Sequence, residues 1–135
     1  MSSNLFNVGV VDERGEIAAM YKGIPQNNLG KMVDIIENVP KNLGIMMLIR
    51  SMAPQIIIAD EIGTKEDVEA INYAFCSGVK GVFTCHGANY NDFLRNPYMK
   101  EIIKLNIIDK LIFLSPQKGQ IEEVMFIGEK EKCLL

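Results

Sequence analysis

Gln55-Ile56-Ile57-Ile58-Ala59-Asp60, continued by Glu61-Ile62-Gly63-Thr64 and then Lys65 to Cys76, decides the fold. The run is almost wholly apolar and ends in a carboxylate, which reads as a strand covered on both faces in a parallel sheet. Thr64, with Asp67 three residues on, opens the helix Lys65 to Cys76 with a capping-box pattern. Val68, Ile71, Ala74 and Phe75 fall on one apolar face of it, and Gly78 is placed to cap its C-terminus. Lys80 to Cys85 is the next strand, ending at His86-Gly87. Strand, helix and strand in that order predict an α/β fold with a mainly parallel sheet.

Upstream, Asn7 to Asp12 is a Val-rich strand that opens into the charged cluster Asp12-Glu13-Arg14-Gly15-Glu16. Ile17 to Tyr21 reads as a second strand or a short helix. From Gly23 to Gly44 the chain turns to Gly, Pro and Asn, which predicts a long loop of a kind often tied to function, with Leu29 to Glu37 supplying a helical turn or two. Leu43 to Met52 is a Met-rich helix closed by Pro54. Downstream, Asn91 to Asn106 is a helix or broken pair interrupted near Pro97. Lys110 to Leu114 and Glu122 to Ile127 form a final hairpin at the antiparallel edge of the sheet.

The 135 residues are 48% hydrophobic and 23% charged, which fits one globular domain spanning 1–135. The net charge of −3, without any block of like charges, argues against a basic nucleic-acid face and against a polybasic membrane anchor. No apolar stretch approaches the ~20 residues of a membrane span, so direct membrane insertion is not expected. The first residues carry no basic and apolar export pattern, so a cytoplasmic location is expected. Cys76, Cys85 and Cys133 are odd in number and contain no C-x-x-C pair, which reads as a reduced chain with two small buried thiols and one near the tail. His86 is the single histidine, and Cys85 beside it would face the other side of a strand, so the two make a poor zinc pair.

Ligands of open α/β sheets collect beyond the carboxyl ends of the strands. Three expected strand ends carry polar groups: Asp12-Glu13-Arg14, Asp60-Glu61 and Thr84-Cys85-His86. In phosphoryl-transfer enzymes, an apolar strand ending Asp-Glu holds one carboxylate where it orders Mg²⁺ through water and the other where it polarises the attacking water. The bland alternative is that these acids favour the positive N-terminus of the next helix or sit in a solvated turn. His86 has a pKa range suited to sensing a phosphate or moving a proton, and also suits a structural hydrogen bond.

Taken together, Val8-Gly9-Val10-Val11-Asp12-Glu13-Arg14-Gly15-Glu16-Ile17-Ala18, Gly23-Ile24-Pro25-Gln26, Met46-Met47-Leu48-Ile49-Arg50-Ser51-Met52-Ala53-Pro54, Asp60-Glu61-Ile62-Gly63, Gly78-Val79-Lys80 and Thr84-Cys85-His86-Gly87 resemble, in order, the stage III sporulation protein AA family. The resemblance implies a three-layer, RecA-like P-loop ATPase fold related to the type II and type IV secretion ATPases. It implies ATP and Mg²⁺ as cofactors, a homo-oligomer (a hexamer), and other stage III sporulation channel proteins as partners in the mother cell. By the same resemblance, Asp60 and Glu61 end a Walker B strand, with Asp60 on Mg²⁺ and Glu61 activating water. Asp12 and Glu13 match an acidic box facing the γ-phosphate, and Thr84 and His86 match a histidine box that senses the nucleotide. Arg14 and Arg50 match arginines that reach phosphate within a subunit or across a boundary.

The sequence departs from that pattern at one important place. The phosphate loop G-x-x-x-x-G-K-[ST] is absent; the nearest approach is Gly30-Lys31, followed by Met32. This implies a C-terminal portion of a longer protein, one that binds ATP poorly alone because no loop of backbone N–H groups cradles the phosphates. An alternative is a non-catalytic scaffold that docks a partner through Leu43 to Met52, whose thioethers adapt to irregular surfaces. A response-regulator-like domain would need a lysine at a late strand end, whereas Lys110 stands at the start of its strand instead of following it.

Overall fold

The structure is a computed structural model that describes residues 6–127. It divides after Cys85 into two compact units. In the first unit, strands β1 (Val8–Asp12), β4 (Val33–Glu37), β5 (Ile56–Ala59) and β6 (Lys80–Phe83) form one four-stranded sheet in the order β4-β1-β5-β6. Every pairing in it is parallel. Between β1 and β4, β2 (Met20–Tyr21) and β3 (Ile24–Pro25) make a two-residue antiparallel ladder.

Helices α1 (Lys41–Ser51) and α2 (Lys65–Cys76) connect β4 to β5 and β5 to β6. Successive right-handed crossovers in one direction lay both helices on the same sheet face. The sequence permits close packing there. A Cβ on Gly44 of α1 would lie 2.6 Å from Val11 Cγ1, so the absence of a side chain lets the helix sit directly on β1. Ile45, Leu48, Val11 and Ile57, each 0% exposed, form the centre of this core. Burying a side chain of that size contributes about 2 kcal/mol.

The capping box of α2 is complete: Thr64 Oγ1 accepts from the Asp67 N–H at 3.2 Å, and Asp67 Oδ2 accepts from the Thr64 N–H at 3.0 Å. Gly78, at φ +80°, closes the other end in the left-handed region, with the Val79 N–H donating to the Ala74 carbonyl. Val68, Ile71 and Ala74 are buried as expected, but Phe75 is 52% exposed. Its position is one residue beyond the core-facing stripe.

The expectation of a loop with a helical turn across Leu29 to Glu37 is corrected by β4. Val33, Ile35 and Ile36 are β-branched and pair in register with Val8, Val10 and Val11, so the edge of a parallel sheet claims them. The expected buried thiol of Cys76 is also corrected: it lies exposed on the last turn of α2, while Cys85 is half-buried. Cys133 lies outside the described residues.

In the second unit, α3 (Tyr90–Phe93) and α4 (Pro97–Lys104) are the broken pair expected around Pro97, which occupies the first turn of α4 behind an Asn96 cap. Met99, Ile102 and Ile103 of α4 are buried. β7 (Lys110–Leu114) and β8 (Ile121–Phe126) form the final hairpin, as a two-stranded antiparallel sheet of its own.

Candidate functional site

Asp12 and Asp60 each follow directly on the registered pair Val11 and Ala59, so they stand side by side at the carboxyl ends of β1 and β5. Adjacent strands are about 4.8 Å apart. Both residues are buried, Asp12 at 0% and Asp60 at 6% exposure, yet their surroundings differ completely. Asp12 Oδ1 accepts from the Glu16 N–H at 2.8 Å and the Ile17 N–H at 3.2 Å, and Oδ2 accepts from the Ala18 N–H at 2.8 Å. This carboxylate organises the turn after β1. Neither oxygen of Asp60 has a hydrogen-bond partner among the described residues. Leaving a buried carboxylate without donors is costly, and a hydrated cation would offset that cost.

Glu61 is held from two sides. Its carboxylate forms an ion pair with the Arg14 guanidinium, from the turn that Asp12 shapes. The two side chains are 28% and 60% exposed, so the pair is screened and adds little to stability. Its N–H donates to Thr84 Oγ1 at 2.8 Å, and its backbone lies at φ +46°. For a residue with a Cβ, that left-handed conformation costs about 1–2 kcal/mol.

Glu13 is placed at the start of α1, where Oε2 accepts from the Lys41 N–H at 3.3 Å and pairs with Lys41 Nζ at 3.0 Å. A carboxylate there complements the positive end of the helix, which otherwise has no side-chain cap. Lys41 is a partner that reading the sequence did not single out; an acid on the β1 end facing a lysine at a helix start was its signal. Arg50 lies in the last turn of α1, about 14 Å along the axis from Lys41, so one copy of the chain does not bring it to the carboxylates. Thr84 directly follows β6. His86 opens the second unit and is exposed.

Burial raises the pKa of the Cys85 thiol, between Thr84 and His86, above its ordinary value. The segment Pro25 to Gly30 lines, with Val33 and Ile35, a recess of about 390 Å³ that contains no ionisable side chain. Among the described residues no cluster of three or more His, Cys, Asp or Glu could encage a metal ion. A lone unpartnered Asp60 instead fits an ion such as Mg²⁺, which keeps most of its waters and takes its remaining ligands from a phosphate.

A family profile described as "Sporulation stage III, protein AA" matches residues 3–133. The chain is 40% identical over 111 residues to "Stage III sporulation protein AA" of Bacillus subtilis (strain 168), covering 82% of this chain and 36% of that protein. The chain thus spans about a third of the length of this relative. Among solved structures, the X-ray structure of the Legionella pneumophila ATPase DotB superposes with a TM-score of 0.66 at 16% identity, over 99% of this chain and 40% of DotB. At that identity the likeness is one of fold, a RecA-like α/β arrangement.

Proposed function

Because the chain belongs to the stage III sporulation protein AA family, we propose that its Asp60-Glu61 strand end is the metal- and water-handling carboxylate pair of an ATP-hydrolysing site. The observation that carries this reading is the buried Asp60 carboxylate with no hydrogen-bond donor on either oxygen. Asp60 would hold Mg²⁺, which would supply charge neutralisation to the phosphates of a bound nucleotide. Glu61 takes the proton of the attacking water. Arg14, paired with Glu61 and largely exposed, exchanges that partner for phosphate oxygens when nucleotide arrives.

Asp12 acts at one remove, by fixing the turn from which Glu13 and Arg14 project. Thr84 and His86 carry the nucleotide-sensing role implied by the resemblance, and Arg50 serves across a subunit boundary of a homo-oligomer. The phosphate-cradling loop comes from polypeptide other than these 135 residues. The assembly works in the mother cell with other stage III channel proteins, and contacts the membrane through them. No helix among the described residues is long and apolar enough to cross a bilayer.

A titration tests this. With the protein at the full length its gene encodes, Asp60→Asn is expected to raise the Mg²⁺ concentration needed for nucleotide binding by roughly tenfold or more, because a neutral amide holds a hydrated dication poorly. An unchanged Mg²⁺ requirement would remove Asp60 from the metal.

One observation favours a second reading, a scaffold. Leu43 and Met47, one turn apart on α1, are 52% and 49% exposed, an apolar strip that a partner helix could cover. On that reading Leu43→Ser with Met47→Ser abolishes assembly, and Asp60→Asn has no consequence.

A further inference from the structure

In a regular parallel ladder, a residue donates its N–H to one residue of the neighbouring strand and accepts, at its carbonyl, the N–H of the residue two further on. Thr84 begins this pattern, donating its N–H to the Ala59 carbonyl at 3.3 Å. The regular donor back to the Thr84 carbonyl would be Glu61. The donor is instead Ile62, at 2.8 Å. Asp60 and Glu61 therefore occupy the space of one residue, which is a bulge at the end of β5 opposite Thr84. The extra N–H that a bulge leaves over is that of Glu61, and Thr84 Oγ1 accepts it at 2.8 Å. The bulged residue lies at φ +46°.

We infer that Thr84 is a positioning residue for Glu61: its hydroxyl, carbonyl and N–H together clamp a β-bulge that holds Glu61 in a left-handed conformation and aims its carboxylate. Strand residues alternate sides, so without an extra residue Asp60 and Glu61 would point to opposite faces of the sheet. The bulge breaks that alternation where two neighbouring carboxylates are needed by one reaction centre. A serine can supply the same acceptor. A valine has the same branched shape without it. The conformational part of this inference stands on the hydrogen bonds alone, and its catalytic consequence rests on the hydrolytic reading above.

Two measurements separate the parts. The first is nuclear magnetic resonance on this chain as wild type, Thr84→Ser and Thr84→Val. Wild type and Thr84→Ser are expected to give the strong intraresidue amide-to-Hα NOE that a positive φ produces at residue 61, and Thr84→Val to lose it while the amides of Ile57 and Val82 keep their shifts. Absence of that NOE in the wild type, or its persistence in Thr84→Val, would overturn the clamp; Thr84→Ala, which also lacks the acceptor, takes the place of the valine variant if that does not fold. The second is ATP turnover at the full gene length. Thr84→Val is expected to lower kcat roughly tenfold to a hundredfold with KM nearly unchanged, and Thr84→Ser to restore it. Unchanged kcat in Thr84→Val beside a large loss in Glu61→Gln would overturn the positioning role. Unchanged kcat in Glu61→Gln would overturn the hydrolytic reading and leave the clamp to the NOE.

Discussion

Asp12 and Asp60 occupy matching positions at the ends of adjacent parallel strands, yet the first carboxylate accepts three backbone N–H groups and the second, among the described residues, accepts none. One is spent on architecture. The other is buried without a donor, at a cost in stability, which is the pattern that the proposed metal role requires.

That difference has opposite consequences for two conservative-looking substitutions. Asp12→Ala removes the acceptor of three backbone donors in the turn after β1, and is expected to lower the unfolding free energy by about 3 kcal/mol. Asp60→Asn removes an unpartnered buried charge, and is expected to leave stability unchanged or raise it by about 1 kcal/mol. Urea unfolding of both variants checks the contrast; equal losses would mean that Asp60 is structural too.

Gly44 illustrates a packing constraint. In the middle of α1 a glycine costs about 1 kcal/mol relative to alanine on propensity alone. The Cβ of Gly44→Ala would stand 2.6 Å from Val11 Cγ1 in the centre of the core. The variant is therefore expected to be less stable by about 1–3 kcal/mol. Part of the loss should return when Val11→Ala is added, which thermal unfolding of the single and double variants would show.

The α2 capping box supplies a third test. Thr64→Ala removes one acceptor and is expected to cost about 1 kcal/mol. Asp67 is 3% exposed and accepts from both the Gly63 and Thr64 N–H groups, so Asp67→Ala should cost more than Thr64→Ala. A reversed order in chemical denaturation would mean that the cap is held by something other than these bonds.

The two described thiols should react differently with an alkylating agent. Cys76 is exposed, whereas Cys85 is half-buried and its pKa lies above the ordinary value, so less of it is thiolate at any given pH. At pH 8 peptide mapping is expected to show Cys76 modified first. Raising the pH should accelerate Cys85, since its thiolate fraction still has far to rise. Equal rates at pH 8 would contradict the burial of Cys85.

The βαβ core was legible because its signals are local: an apolar run, a Thr-x-x-Asp cap and a C-terminal glycine all lie within Ile56 to Gly78. β4 was not. Val33-Asp34-Ile35-Ile36-Glu37 lies among Gly, Asn and Pro, its alternation is imperfect, and its strand state is decided by parallel pairing with β1. The placement of Asp12, Asp60 and Thr84 at strand ends was legible from the apolar runs that precede them. What escaped was the division of labour among them. That Asp12 would be saturated by its own turn depends on local loop geometry, and that Glu61 would sit in a bulge clamped by Thr84 depends on hydrogen bonds between elements; neither is encoded by a periodicity.

The most direct test of the central claim is ATP turnover by the protein at its full gene length, compared between wild type and Glu61→Gln. The glutamine variant is expected to keep Mg²⁺-dependent nucleotide binding while kcat falls roughly a hundredfold or more, because the amide cannot take the proton from water. Hydrolysis that continues at the wild-type rate would contradict the assignment of this strand end as the catalytic centre.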